Sequence, residues 1–210
     1  DVIYDITGYQ AGNLEPVVEA LSERIGHYIF QSTTATYAPS ELLPIREDFP
    51  AVSPVTTKTG LAAYGPEKVQ CEHLLLRMFK EIGFPVTIFR CPIIYGPENW
   101  MDEREGSYFV RLLQKRPILI PGNGASLIHF THVDDLAQAH LAVAGQKKAI
   151  GQIYNIAAEE IVTIDGYIDT IARIAGIKAK KVYIESQVMK SLNQQIFPFD
   201  WDRNIFFDIS

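Results

Sequence analysis

Short β-rich apolar runs alternate with segments of helical periodicity along the first half of this chain. The runs are VIYDI at 2–6, HYIFQ at 27–31 and FPVTIFR at 84–90, and helical patterns at 14–24 and 64–82 separate them. A strand, a helix and a further strand in succession are typical of a parallel sheet, because the helix carries the chain back to the same edge. The sequence therefore predicts an α/β fold built on a parallel sheet.

The alternation continues less regularly in the second half. Asp134 and Thr163 are of the residue types that cap helix N-termini, and each stands at the start of an amphipathic segment. The predicted helices cover 106–116, 134–144 and 163–175, and the predicted strands cover 117–121, 128–133, 152–157 and 181–185. No repeat, low-complexity tract or linker interrupts the chain, so we predict no division into independently folding domains.

Composition and charge exclude several classes of protein. The 210 residues contain no apolar run near the roughly 18–20 residues of a membrane helix, which excludes a spanning protein. The net charge of −6 argues against a broad nucleic-acid surface, and the small clusters Lys147–Lys148 and Lys178–Lys181 are typical of solvated faces. Cys71 and Cys91 lie apart, so neither a disulfide framework nor a metal site is predicted. We expect a cytoplasmic protein, or a stromal one if a transit peptide has been removed.

The segment Tyr64-Gly-Pro-Glu-Lys68 carries the clearest chemical signal. Residues four apart on a helix share a face, so the Lys68 ammonium can lie near the Tyr64 phenol. A nearby cation favours the phenolate, which suits proton exchange with a hydroxyl or carbonyl group. The spacing also fits a surface lysine one turn after a half-buried tyrosine, and the spacing alone does not decide between the two.

Hydroxyl side chains follow the strand HYIFQ at Ser32, Thr33 and Thr34. The carboxyl edge of a parallel sheet is where such sheets bind ligands, and the segment FRCPIIYGPEN follows another strand at the same edge. We therefore expect the Tyr64 helix and these two segments to meet at one ligand-binding edge.

Together these segments resemble the extended short-chain dehydrogenase/reductases, the NAD-dependent epimerase/dehydratase family. DVIYDITG resembles the fourth strand of that family, YIFQSTTATYA its serine/threonine strand, YGPEK its Tyr-x-x-x-Lys motif, and RCPIIYGPEN its Arg-x-x-x-x-Tyr-Gly-Pro loop. PGNGASLIHFTHVDDLAQAH resembles its Gly-Asp-Gly to Val-Asp-Asp segment. The resemblance implies a Rossmann-type sheet with helices on both faces and a small C-terminal substrate lobe. Residues 1–95 would be the second half of the dinucleotide-binding domain, and 96–210 a mixed substrate lobe with interleaved Rossmann elements.

The resemblance also implies roles for individual residues. Thr33, Tyr64 and Lys68 would be catalytic, and the protein would be a homodimer that binds NAD or NADP. Cofactor contacts are implied for Ile6, Thr7, Gly8, Ser32, Tyr64, Lys68, Pro92, Ile93 and Ile94. Substrate contacts are implied for Thr33, Tyr37, Tyr95, Asn99 and His129.

Two departures from the family pattern affect these expectations. No glycine-rich phosphate loop precedes VIYDI, so we expect a chain that is N-terminally incomplete, and the choice between NAD and NADP stays open. Ile128-His129 stands where nucleotide-sugar members carry an arginine that holds the diphosphate. A UDP-sugar substrate is therefore not implied, and the expected substrate is a small hydroxylated, sugar-like compound.

Several stretches resemble an atypical branch that contains the chloroplast stem-loop-binding proteins and their bacterial relatives. They are DVIYDITGYQAGNLEPVVEAL, SELLPIRED, VTIDGY and the tail FPFDWDRNIFFD. Two hypotheses follow: an NAD(P)-dependent epimerase, dehydratase or reductase, or an RNA-binding or assembly protein without redox turnover. The retained Tyr64 and Lys68 and the acidic charge favour the enzyme. The aromatic residues 197–201 would cover a pocket or pack on the core.

Overall fold

The computed structural model describes residues 1–99, 104–185, 187–188 and 203–210. The strands are β1 Val2–Asp5, β2 His27–Thr33, β3 Val86–Cys91, β4 Ile93–Tyr95, β5 Ile118–Pro121, β6 Leu127–His132, β7 Ile153–Asn155, β8 Ile161–Thr163 and β9 Lys181–Ile184. The helices are α1 Ala11–Leu21, α2 Tyr64–Ile82, α3 Glu105–Leu113, α4 Val133–Val143 and α5 Ile164–Ala175. None of the described helices is long and apolar enough to cross a membrane.

The chain forms two compact units, each built from separate stretches of sequence. The first comprises Asp1–Ile94, Thr131–Ala158 and Phe207–Ser210, and the second comprises Tyr95–Phe130 and Glu159–Phe206.

A four-stranded parallel sheet in the order β1-β2-β3-β7 is the centre of the first unit. Alternate side chains of its strands point to opposite faces, so each face has its own core. On one face Phe30 and Ile88 pack with Leu14 of α1 and Leu75 of α2. On the other face Ile29, Phe89 and Cys91 pack with Leu136 of α4. This arrangement confirms the predicted parallel sheet with helices on both faces.

The second unit combines short parallel and antiparallel pairs. Strand β5 pairs in parallel with β9, and residues 127–129 of β6 pair antiparallel with β8. Helices α3 and α5 contact each other through Tyr108 and Tyr167, whose ring centroids are 5.9 Å apart.

The helix starts show where local patterns predicted structure and where they did not. Helix α2 spans 64–82 as predicted, and the Thr163 hydroxyl accepts a hydrogen bond from the Gly166 amide at 2.9 Å, which confirms the predicted cap of α5. The predicted cap at Asp134 is wrong, because Asp134 lies inside the first turn of α4 and its amide donates to His132 Nδ1. Strands β4 and β8 were not predicted, and the tail residues 197–201 lie outside the described residues.

Candidate active site

The Lys68 ammonium is held where strands β1 and β2 end. Its Nζ donates to the carbonyl of Gly8 at 2.8 Å and to the carbonyl of Gln31 at 2.7 Å. The side chain is only 2% exposed although it carries a charge. An ammonium has three donors, so two of them anchor Nζ to backbone and the third remains for a further acceptor.

Aromatic rings surround the same ammonium. Nζ lies 4.5 Å from the centre of the Phe30 ring and 5.0 Å from that of Tyr9. Burial lowers the pKa of Lys68, and the neighbouring negative groups oppose this effect. The ring faces stabilise the charged form of Lys68 by cation–π attraction.

Thr33 lies at the last position of β2 and begins the turn that follows. Its hydroxyl oxygen accepts a hydrogen bond from the Ala35 amide at 3.2 Å, which caps the short 3₁₀ turn 34–36. The carbonyl of Ala35 packs against the Cα of Gly65, where a Cβ would overlap it. This contact sets the Thr33 turn directly against the first turn of α2, beside Tyr64.

Asp5 shapes the segment that follows β1. Its carboxylate accepts hydrogen bonds from the amides of Thr7 and Gly8 at 2.9 and 2.8 Å and from the Tyr28 hydroxyl at 2.5 Å. A Cβ on Gly8 would lie 2.8 Å from the Phe30 ring, so only glycine fits there. The segment 6–8, which was predicted to contact the cofactor, is thereby held at the sheet edge with the Gly8 carbonyl facing Lys68.

The predicted cofactor residue Ser32 belongs to a buried polar network. Its hydroxyl donates to Glu72 Oε1 at 2.5 Å, and Glu72 receives Arg90 Nε at 3.1 Å and Arg90 Nη2 at 2.6 Å. Burial opposes the charge on Arg90, but the bonds and charge of Glu72 outweigh burial and raise the pKa of Arg90. The network ties α2 to the ends of β2 and β3.

Tyr37 lies inside the first unit. The Arg90 guanidinium lies over its ring at 4.6 Å, and the Phe207 ring stacks on it at 5.9 Å. Its hydroxyl donates to Asn155 Oδ1 at 2.6 Å. Burial raises the pKa of Tyr37. The structure thus gives this predicted substrate residue three partners within the protein.

The other predicted site residues are distributed over both units. Ile94 packs against the core on the α4 face of the first unit, immediately after Pro92 and Ile93. In the second unit the Tyr95 ring meets the Phe130 ring edge-on at 5.8 Å, and Asn99 Nδ2 donates to Glu105 Oε1 at 2.7 Å.

His129 and its neighbour Ile128 are both buried in strand β6. Opposite them across the antiparallel pair lie Ile161 and Val162 of β8. Ile128 therefore contributes an apolar side chain at the position where the sequence pattern would place a phosphate-binding arginine.

Two residues at this edge were not singled out from the sequence. Tyr9 contacts Lys68 and lies 6.1 Å from the Tyr64 ring, and Glu72 anchors Ser32. Tyr9 follows a predicted strand and lies in the stretch DVIYDITGYQAGNLEPVVEAL that resembles the atypical branch, but neither signal assigned it a role. Glu72 follows Lys68 by four residues, which places it on the same helix face.

Among the described residues, no cluster of His, Cys, Asp or Glu side chains could hold a metal ion.

Comparisons with known proteins show which family the chain belongs to. The model of the NAD dependent epimerase/dehydratase family matches residues 11–157. The chain belongs to this family. It is 35% identical over 200 residues, 95% of its length, to the chloroplast stem-loop binding protein of 41 kDa b from Arabidopsis thaliana, covering 49% of that protein. The predicted resemblance to the atypical branch is thus confirmed.

Two further relatives connect the chain with sugar-nucleotide enzymes. It is 29% identical, over 79% of its length, to the uncharacterized UDP-glucose epimerase YtcB of Bacillus subtilis and covers 50% of it. The solved UDP-glucuronic acid 4-epimerase of Bacillus cereus, in complex with NAD, matches with a TM-score of 0.70 and 26% identity, over 81% of this chain and 53% of that one. This family member therefore spans about half the length of the relatives it matches.

Proposed function

We propose that the full-length protein is an NAD(P)-dependent epimerase/dehydratase in which Thr33, Tyr64 and Lys68 carry the chemistry. The observation that supports this most directly is the position of Lys68. Its ammonium is anchored to the carbonyls of Gly8 and Gln31 at the carboxyl edge of the sheet, one helical turn from Tyr64.

The residues at this edge fit a dinucleotide cofactor. Lys68 has a third donor for a ribose hydroxyl oxygen, and the buried side-chain oxygen Oε1 of Gln31 has no partner within the described part of the chain. An unpaired acceptor on Gln31 and an anchored cation that bonds to the Gln31 carbonyl suit a ligand that offers both hydroxyl donors and acceptors. When bound, the nicotinamide supplies the hydride chemistry. Backbone at 6–8 and 92–94, and Ser32, would line the same side.

The three side chains have separate roles in this proposal. The Tyr64 hydroxyl exchanges a proton with the substrate, and the positive charge of Lys68 favours the phenolate at neutral pH. The Thr33 hydroxyl, whose oxygen already accepts from the Ala35 amide, donates to the substrate oxygen. Lys68 also orients the cofactor through its remaining donor.

The proposed substrate is a hydroxylated, sugar-like compound, and the family and relatives support a sugar nucleotide. Tyr95, Asn99 and His129 of the second unit, with Tyr37, stay the predicted substrate residues. The reaction subtype, the preference for NAD or NADP and homodimerisation through the Tyr64 helix also stay predictions.

Replacement of Tyr64 tests the assignment. In full-length protein supplied with NAD⁺ and with UDP-glucuronic acid, UDP-glucose or dTDP-glucose, Tyr64→Phe should lower turnover by about 10²- to 10⁴-fold. NADH titration by fluorescence should show that the variant still binds cofactor, and Tyr183→Phe, half exposed on β9, should behave as the parent protein. Unimpaired turnover by Tyr64→Phe, or a parent protein that binds neither NADH nor NADPH, would contradict the proposal.

RNA binding is the second candidate function, and a basic surface in the second unit favours it. Seven of the 19 Lys and Arg residues lie in stretches 111–118 and 171–184, which contain no acidic residue. One of the seven, Lys181, is paired with Asp165 and Asp169 outside these stretches. The parallel pair β5–β9 brings the stretches together, because the Ile118 amide donates to the Lys180 carbonyl at 2.8 Å. Lys115, Arg116 and Lys178 are exposed there. Such a cluster can neutralise several phosphates of an RNA backbone.

Charge reversal tests this second candidate. The double variant Lys115→Glu/Arg116→Glu should weaken binding of a short stem-loop RNA by about tenfold or more and flatten its salt dependence. The double variant Lys147→Glu/Lys148→Glu changes charge equally at an exposed pair in the first unit and should leave the affinity unchanged. Equal losses of RNA affinity in both variants would indicate that RNA is attracted by overall charge and not by this surface, and would contradict RNA binding as the second candidate function.

A further inference from the structure

Tyr9 lies in the candidate active site although no motif includes it. Its ring centre is 5.0 Å from Lys68 Nζ and 6.1 Å from the centre of the Tyr64 ring, with the two ring planes inclined by 44°. The side chain is 55% exposed, so its burial in the core cannot explain the position. Tyr9 therefore lies next to both members of the Tyr64–Lys68 pair while more than half of its surface stays exposed.

Both neighbours of Tyr9 in the chain are bonded to helix α2. The Gly8 carbonyl accepts from Lys68 Nζ at 2.8 Å, and the side-chain Nε2 of Gln10 donates to Glu67 Oε1 at 3.2 Å. Glu67 precedes Lys68 on α2. The segment that carries Tyr9 is thus held to the helix that carries Tyr64 and Lys68.

The ring has a physical effect on the ammonium. Lys68 Nζ lies over the rings of both Phe30 and Tyr9, at 4.5 and 5.0 Å from their centres. An aromatic face attracts a cation more strongly when water is excluded, and Lys68 is almost fully buried. Tyr9 therefore both covers the ammonium and stabilises its charge.

Other titratable groups also lie near Lys68. The carboxyl groups of Asp5, on β1, and Glu72, on α2, favour the charged ammonium. Burial raises the pKa of the Cys71 thiol to about 11 and that of the Cys91 thiol to about 12, so both thiols are neutral near pH 7.

We propose that Tyr9 is a positioning residue for cofactor binding: its ring holds the Lys68 ammonium charged and directed toward the nicotinamide ribose. The inference rests on the proposed function, because it assigns Lys68 to the cofactor. A leucine at position 9 would still cover Lys68 but would lack the ring quadrupole, whereas phenylalanine would retain it. Comparison of the two replacements therefore separates cation–π positioning from simple packing.

The test is NADH titration of full-length protein, followed by fluorescence at several pH values. Tyr9→Leu should bind NADH about three- to tenfold more weakly than the parent protein. As the pH is raised, Lys68 should lose its proton earlier in this variant, so the fall in NADH affinity should begin at a lower pH than in the parent protein. Tyr9→Phe should match the parent in both respects. Tyr183→Leu, at an exposed tyrosine of the second unit, controls for loss of a surface ring.

Each outcome has one interpretation. Equal weakening in Tyr9→Leu and Tyr9→Phe, or unchanged NADH affinity and pH profile in Tyr9→Leu, would overturn the inference about Tyr9. Lys68→Met serves as the reference for the proposed function. If Lys68→Met binds NADH as well as the parent protein does, the cofactor role of Lys68 itself fails. If Lys68→Met loses affinity and Tyr9→Leu does not, the proposed function survives without Tyr9.

Discussion

His27, at the start of β2, shows how a single buried residue makes stability depend on pH. Its Nε2 lies 2.8 Å from Thr87 Oγ1, which itself donates to the Ala149 carbonyl, so the hydroxyl oxygen must accept from the ring. Its Nδ1 accepts from the Gly145 amide at 3.1 Å. Both ring nitrogens are therefore used by the neutral form, and protonation would break the bond to Gly145.

Burial lowers the pKa of His27 below the ordinary value of 6.5. Since the unfolded chain then binds a proton that the folded chain does not, stability should fall as pH drops below 6.5. The free energy of unfolding should be lower by up to about 1.4 kcal/mol at pH 5.5. Urea unfolding at pH 8 and pH 5.5 measures it. His27→Gln should reduce the difference, whereas His73→Gln, exposed on α2, should not. An unchanged pH dependence in His27→Gln would contradict this account.

At the scale of elements, the contact between the turn 34–36 and α2 aligns Thr33 with Tyr64. Gly65 permits the contact, since a Cβ there would overlap the Ala35 carbonyl. Alanine is the better helix former by about 1 kcal/mol, so Gly65→Ala exchanges a gain in helix propensity for displacement of the turn. Displacement of the turn 34–36 would move Thr33 relative to Tyr64, whereas the gain in helix propensity would stabilise α2.

Gly65→Ala should therefore lower turnover by about tenfold or more with little net change in melting temperature. Gly12→Ala is the matched control, because a Cβ at Gly12 of α1 would meet no atom within 4 Å. That variant should gain about 0.5–1 kcal/mol of stability with full activity. Turnover per folded molecule and thermal unfolding measure both effects. Full activity in Gly65→Ala would show that this contact does not align the site.

At the scale of the whole molecule, the first unit is completed by residues more than a hundred positions apart. The Phe207 ring stacks on the Tyr37 ring at 5.9 Å, and the Phe207 backbone forms an isolated parallel β-bridge with Ile45. The Asp208 carbonyl accepts from Asn155 Nδ2 at 3.1 Å. The C-terminal residues are therefore part of the same core as the Tyr37–Arg90 pair.

Phe207→Ala should destabilise the protein by about 3–5 kcal/mol, because it leaves a cavity beside Tyr37. Ile209→Ala removes an exposed side chain of the same segment and should change stability by less than about 0.5 kcal/mol. Chemical denaturation of the two variants and the parent protein measures the difference. Equal stabilities in the two variants would show that the segment contributes nothing through Phe207.

The strands and helices that could be predicted from the sequence were those marked by local patterns of residues. Strands β1 to β3 and helix α2 were found from the spacing of apolar residues, and Thr163 caps α5 as its residue type indicates. The cap of α4 was missed because His132 is a rare capping residue, and β8 because three residues carry too little pattern. Tyr9 and Glu72 were missed because their partners lie far away in the chain.

The sequence by itself determined the periodicity of its strands and helices, the motifs that mark the family and the helix face shared by Tyr64 and Lys68. Each of these depends on residues within a few positions of one another, where backbone geometry sets the spacing. Only the tertiary structure decided that Lys68 is anchored to Gly8 and Gln31, that Ser32 is tied to Glu72 and that Tyr9 covers the ammonium. Those contacts depend on sheet register and helix docking, which arise from burying both faces of one sheet at once.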